Sequence, residues 1–123
     1  AGVDPLTYAS LRHPEIHIIG DAQATAQPKS GTMANAQAKV CADAILRALK
    51  GQPPNPQPVT MSACYSPITN KTASWLTATY QYNPATASMV RVEASFGEAS
   101  APSADNYIDM FRWAKSLFAD TFA

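Results

Sequence analysis

Apolar positions change their period several times along this chain, and each change marks an element. Residues 15–20, ending in the apolar Ile18-Ile19-Gly20, predict a short strand buried on both faces. Ala22 to Ser30 is a polar loop. From 31 to about 50 the period is helical: Met33, Ala36 or Gln37, Val40, Cys41, Ala44, Ile45, Ala48 and Leu49 recur three and four residues apart. Ser30 suits the N-cap, Gly51 suits the C′ position after Lys50, and Pro53 blocks continuation. Gln52 to Pro58 is proline-rich and reads as a linker.

Beyond that linker the period becomes two. Thr60 to Ser66 predicts a strand. Ala73 to Tyr82 and Ser88 to Phe96, rich in β-branched and aromatic residues, predict an antiparallel hairpin turning at Asn83 to Ala87. Trp75, Tyr80 and Tyr82 are expected to pack on one sheet face. Gly97 to Ser103 reads as a loop. Ala104 to Phe122 is an amphipathic helix with Tyr107, Ile108, Phe111, Trp113 or Ala114, Leu117 and Phe118 on its apolar side. The fold class is therefore α+β: a strand-loop-helix unit, then a small antiparallel sheet closed by a C-terminal helix.

Composition narrows the function. The 123 residues suffice for one small core, and nine basic residues balance nine acidic ones. With no basic stripe, nucleic acid is not an expected partner. No apolar run reaches the roughly 18 residues a membrane span needs. Two cysteines and two histidines at no ligand spacing predict neither a disulfide framework nor a metal site. The Gly-x-Gly-x-x-Gly phosphate loop is absent from this sequence. The first 15 residues read as a loop entering a strand, as expected of the C-terminal piece of something longer.

Three places could carry chemistry. Gly20 lets the backbone approach a ligand, and Asp21, at the end of the first run, can accept hydrogen bonds from hydroxyls or simply cap a turn. Lys29-Ser30-Gly31-Thr32 forms a loop-to-helix junction whose unpaired amides and partial positive charge favour an anion or an electron-rich carbonyl. An ordinary helix cap with a solvated lysine is the alternative there. The two motifs at this spacing favour a shared dinucleotide-type ligand. Cys41 belongs to an apolar helix face and reads as core. Cys64, at a strand end among small residues, fits either core packing or a redox thiol facing a cleft. Glu93, Glu98 and Asp105 read as solvated charges, and His13 and His17 have no partner that would make them catalytic.

Together HIIGDA (17–22), PKSGTMANAQ (28–37), ACYS (63–66) and the tail Trp113 to Phe122 resemble the C-terminal part of the flavoprotein subunit of flavocytochrome c sulfide dehydrogenase. The resemblance covers essentially the whole chain. It implies a tail of an FAD-binding domain over 1–51, a linker over 52–58 and a C-terminal flavin-binding or interface domain over 59–123. It implies that Asp21 binds the ribityl chain of FAD. It sets the 29–33 junction, with Lys29, Ser30, Gly31 and Thr32, at the flavin pyrimidine, Gly20 beside Asp21 in the cofactor site, and Trp113 close to the flavin. By the same resemblance Cys64 belongs to a redox-active disulfide, its partner cysteine lying in an N-terminal remainder of the flavoprotein that this sequence does not include. The implied activity is sulfide oxidation with electrons passed singly to a c-type cytochrome subunit in the periplasm. This piece alone is expected to hold an incomplete FAD site and to be inactive. Ala123 stands where the family ends in Gly. Two other readings remain: a non-catalytic interaction module that pairs with itself or with a cytochrome, and, ranked lower, a quinone-linked sulfide oxidase, which would need an apolar membrane-binding tail.

Overall fold

The computed structural model describes residues 1–122, and Ala123 lies outside them. Helix α1 is Gly31–Leu49, followed by strands β1 (Val59–Pro67), β2 (Ala73–Asn83), β3 (Ser88–Arg91) and β4 (Gly97–Glu98), and by helix α2 (Ala104–Phe122). The sheet is antiparallel. β2 is central, with β1 along one edge and β3 and β4 pairing with it in turn. This is the α+β arrangement the periodicity predicts.

Local signals set the ends of these elements. The Ser30 hydroxyl accepts from Met33 N at 3.1 Å and caps α1, and Gly51 takes a φ of 65° just past its end. Ser103 caps α2 in the same way, its Oγ accepting from Asn106 N at 3.0 Å. Backbone bonds between Ser103 and Ala73 then tie the start of α2 to the start of β2.

Three expectations need correction. Residues 15–20 are not a buried strand. A buried strand needs backbone on both edges, and among the described residues the only strand-like pairing here is with Tyr8–Ser10, through Ser10 N to Ile16 O at 2.7 Å and Ile18 N to Tyr8 O at 2.9 Å. Ile16 is therefore 51% exposed, and the chain coils at Gly20–Ala22 into one 3-10 turn. The strand expected over 88–96 stops at Arg91. Beyond it the Ser95 side chain takes the backbone's place, accepting from Thr79 N at 2.8 Å, and Glu93–Ser95 bows away as a 3-10 turn. Pairing resumes only at Gly97 and Glu98, inside the segment expected to be a loop.

The third correction concerns the aromatic face. Side chains alternate along a strand, so Trp75 cannot share a face with Tyr80 and Tyr82. Trp75 pairs with Tyr65, and Tyr65 packs at 5.6 Å against Trp113 of α2. The opposite face carries Thr60, Ser62 and Cys64 of β1 with Leu76, Ala78 and Tyr80 of β2. On that side the 23–30 loop covers Thr60 and Ser62.

The core is small and partly polar. Val3, Tyr8 and Cys41 form its apolar cluster with Ile18 and Val40 packed against it. Beside it Gln27 Oε1 accepts from the Tyr8 hydroxyl (2.9 Å), the Thr25 hydroxyl (3.0 Å) and Gln37 Nε2 (3.1 Å), while Gln27 Nε2 donates to Thr60 Oγ1 at 2.5 Å. A glutamine-centred network thus joins the N-terminal segment, α1 and β1.

Candidate functional site

The first turn of α1 lies where three parts of the fold meet. The Gly20–Ala22 turn packs on its outer side: Gln37 Oε1 accepts from Gly20 N at 2.8 Å, and a Cβ on Gly20 would meet the Ala34 Cβ at 3.5 Å. Gly20 itself has a φ of 67°, so a side chain there would also be strained. Lys29 folds back, its Nζ donating to the carbonyls of Asp21 and, at 3.2 Å, Gln23. The lysine charge is therefore spent on bracing the turn, while the exposed Asp21 carboxylate makes no hydrogen bond among the described residues.

On its second side the helix start abuts the free edge of β1. Thr32 Oγ1 donates to Ala63 O at 2.6 Å. Ser30 and Ser62 hydroxyls lie 3.1 Å apart, and Ser62 Oγ lies 3.8 Å from Cys64 Sγ. Ser30 Oγ accepts from Met33 N, and in the Ser30–Ser62 and Ser62–Cys64 contacts either partner can donate. This chain of hydroxyls leads from the helix N-terminus to the half-buried thiol. The amides of Gly31 and Thr32 have no carbonyl to meet within the helix, by helix geometry.

On the third side stands α2. Leu117 lies 3.6 Å from where a Gly31 Cβ would be. A cavity of about 340 Å³ opens between Thr32, Asn35, Ala63 and Trp113. An adjoining apolar groove of about 530 Å³ runs past Ile19, Gly31, Ala34, Leu117 and Phe118.

Six of the eight residues singled out by sequence, Gly20, Asp21, Lys29, Ser30, Gly31 and Thr32, cluster at this helix start. Cys64 joins them through Ser62. Trp113 does not share a face with Cys64: strand alternation turns Ala63 and Tyr65 toward Trp113 and Cys64 away from it. Both cysteines are free thiols. Cys41 is buried in the core, where burial pushes its thiol pKa up and keeps it protonated, in keeping with a packing role. No group of His, Cys, Asp or Glu that could hold a metal ion occurs among the described residues.

Sequence reasoning missed Gln37, Gln27 and Ser62, all buried. One signal was present: Gln37 interrupts an apolar helical stripe, and a polar residue at a core position must find partners. Gln23 is also buried, and its Nε2 is the one buried side-chain nitrogen or oxygen without a partner among the described residues. Such a donor costs about 1–3 kcal/mol when left unpaired.

A family model for the flavin-binding domain of flavocytochrome c sulphide dehydrogenase matches residues 56–122. The match takes in the whole sheet, with Cys64, and all of α2, with Trp113; the Gly20–Asp21 turn and the start of α1 precede it. This chain belongs to the flavocytochrome c sulphide dehydrogenase flavin-binding family.

Proposed function

We propose that this chain forms one wall of the FAD site of a sulfide dehydrogenase, which oxidises sulfide and hands the electrons to a c-type cytochrome. Family membership makes it part of a flavoprotein oxidoreductase with FAD as the cofactor. The observation that carries the finer reading is the meeting of an unpaired carboxylate, a helix N-terminus and a thiol at the first turn of α1. The chemistry of the donors fits FAD. Asp21 is free to accept from ribityl hydroxyls. The Gly31 and Thr32 amides offer positive partial charge to a pyrimidine carbonyl, and the small residues Gly31 and Ala34 leave the adjoining groove open to a flat ring.

Bound FAD would supply the electron-pair acceptor. The chain's own residues do the rest. Lys29 and Gln37 hold the Gly20–Asp21 turn. Ser62 Oγ lies within hydrogen-bond reach of Cys64 Sγ and helps to orient it. In this reading Cys64 is the sulfur that exchanges with a second cysteine of the complete flavoprotein, and Trp113 borders the flavin region from the other face of β1. Sulfide loses two electrons in all, and the cytochrome takes them one at a time. An N-terminal remainder of the flavoprotein completes the site, and a periplasmic location follows from the same reading.

The test is to co-express this chain with that remainder and follow flavin absorbance on adding sulfide. The absorbance should bleach, and Cys64→Ser should slow the bleaching by more than about tenfold. A Cys64→Ser protein that bleaches at the normal rate would remove Cys64 from the mechanism.

One observation favours a second reading, a non-catalytic module that pairs with itself or with a cytochrome. Ile108, Phe111, Phe118 and Phe122 are exposed along α2, an apolar stripe of the kind that marks contact surfaces. Size-exclusion chromatography separates the two: a concentration-independent monomer rejects self-pairing. No described helix is long and apolar enough to cross a membrane.

A further inference from the structure

We infer that Gln37 is a positioning residue for the flavin-facing turn, acting from the second turn of α1 on a site it does not itself touch. This rests on the FAD reading above. Gln37 is 0% exposed although it is a polar residue inside a helix, and both ends of its amide are engaged. Oε1 accepts from Gly20 N at 2.8 Å, and Nε2 donates to Gln27 Oε1 at 3.1 Å. Gln27 in turn donates to Thr60 Oγ1 at 2.5 Å, two residues before Ser62 and four before Cys64.

One buried side chain therefore sets the distance between two parts of the site. Gly20 is the pivot of the turn that presents Asp21. Its φ of 67° is a conformation that glycine shares with other backbone states at little cost, so the torsion angle alone does not hold it. Gly20 N–H would otherwise have no fixed acceptor in that turn, because the 3-10 bond closing it runs from Gln23 N to Gly20 O at 3.4 Å, near the limit for such a bond. The Gln37 carbonyl supplies the missing constraint. Through Gln27 the same side chain is keyed to β1, so the carboxylate of Asp21 and the thiol of Cys64 are registered against one rigid helix. Gln37 is closed to solvent, so loosening it removes the acceptor of the part-buried Gly20 N–H, while Gln27 Oε1 keeps its bonds from Tyr8 and Thr25; the loss falls on the Gly20 turn, which favours a single arrangement there.

The experiment compares the complete flavoprotein with its Gln37→Met variant, similar in shape but without the amide. Ala44→Gly, buried on the same helix and outside the network, is the control for a comparable loss of helix stability. Flavin dissociation constant, visible absorbance and midpoint potential are the readouts. Gln37→Met should weaken flavin binding by roughly fivefold to tenfold and shift the absorbance or the potential, whereas Ala44→Gly should leave all three at the wild-type values. A wild-type measurement stands beside these in case Gln37→Met does not fold: the Gly20 amide should exchange with solvent more slowly than that of Ala22 by at least about tenfold. Gln37→Met and Ala44→Gly changing the flavin equally, or a Gly20 amide that exchanges as fast as Ala22, overturns the inference. A wild-type flavoprotein that takes up no flavin overturns the FAD reading, and this inference falls with it.

Discussion

The two helices have the same length, 19 residues, and both repeat apolar residues at helical spacing, yet they are held in different ways. α1 buries Met33, Gln37, Cys41 and Ala44, and directional bonds fix its start to three neighbours: Ser30 to Ser62, Thr32 to Ala63 and Gln37 to Gly20. α2 buries no residue completely. It leans on the sheet through Trp113 against Tyr65, and its end is joined to α1 by the exposed Lys39–Asp120 pair and by Asn35 to Thr121. The proposed site follows the first helix. A helix N-terminus can only orient a ligand if its own position is fixed, and polar contacts at its first turns fix α1. Apolar periodicity locates the packing side of a helix but does not say whether anything covers the other.

The contrast is sharpest in core truncation. Met33 is 1% exposed and Phe118 is 60% exposed. Met33→Ala should cost about 2–5 kcal/mol in denaturant unfolding, and Phe118→Ala, though it removes a larger side chain, less than about 1 kcal/mol. Similar losses would erase the distinction between the helices.

A pH effect of intermediate size belongs to the α1 side alone. Burial pushes the Tyr8 hydroxyl up to about 12 from an ordinary value near 10. The folded state therefore holds this proton more tightly than the unfolded chain. Its contribution is complete below about pH 10 and is lost as pH rises toward about 12, a fall of about 2–3 kcal/mol. Tyr8→Phe should flatten the stability profile in that window relative to wild type. An unchanged slope would mean that Tyr8 ionises freely in the folded protein.

The smallest effect is expected where the helices touch. Lys39 and Asp120 form a 2.6 Å pair, both side chains largely exposed. The lysine, and after it Asn35, draws the Asp120 pKa down. Such surface pairs contribute little, so Lys39→Met should leave the denaturant midpoint close to that of the wild type, with any difference shrinking at high salt. A clear drop in the midpoint would show that α2 depends on this tie.

Much of this was readable in the sequence where the determining force is local. Ser30 and Gly51 mark the ends of α1 because a cap and a left-handed glycine act within one turn. The β1, β2 and α2 periods survive because one face of each meets a neighbour. Failures came where a distant partner decides. Ile16, Ile18 and Ile19 suggest a buried strand, but residues 15–20 lack the flanking backbone that would bury one. The Ser88 to Phe96 stretch alternates correctly until the Ser95 side chain displaces the backbone at Thr79. Trp75 is separated from Tyr80 and Tyr82 by a purely local rule, the alternation of side chains along β2. At the candidate site, residue types suggested Gly20, Asp21 and the 29–32 junction. That Lys29 is turned back on the Asp21 carbonyl, and that Gln37 braces Gly20, depends on tertiary geometry that spacing alone does not encode.

The most direct measurement is a titration with FAD of this chain, isotope-labelled and assembled with the N-terminal remainder of the flavoprotein, followed by amide chemical shifts. The largest shifts should fall on Gly20, Asp21, Gly31 and Thr32, with smaller ones at Ser62 and Cys64. Saturating FAD that leaves those amides unmoved, or perturbs only the exposed stripe of α2, would contradict a flavin site at the start of α1.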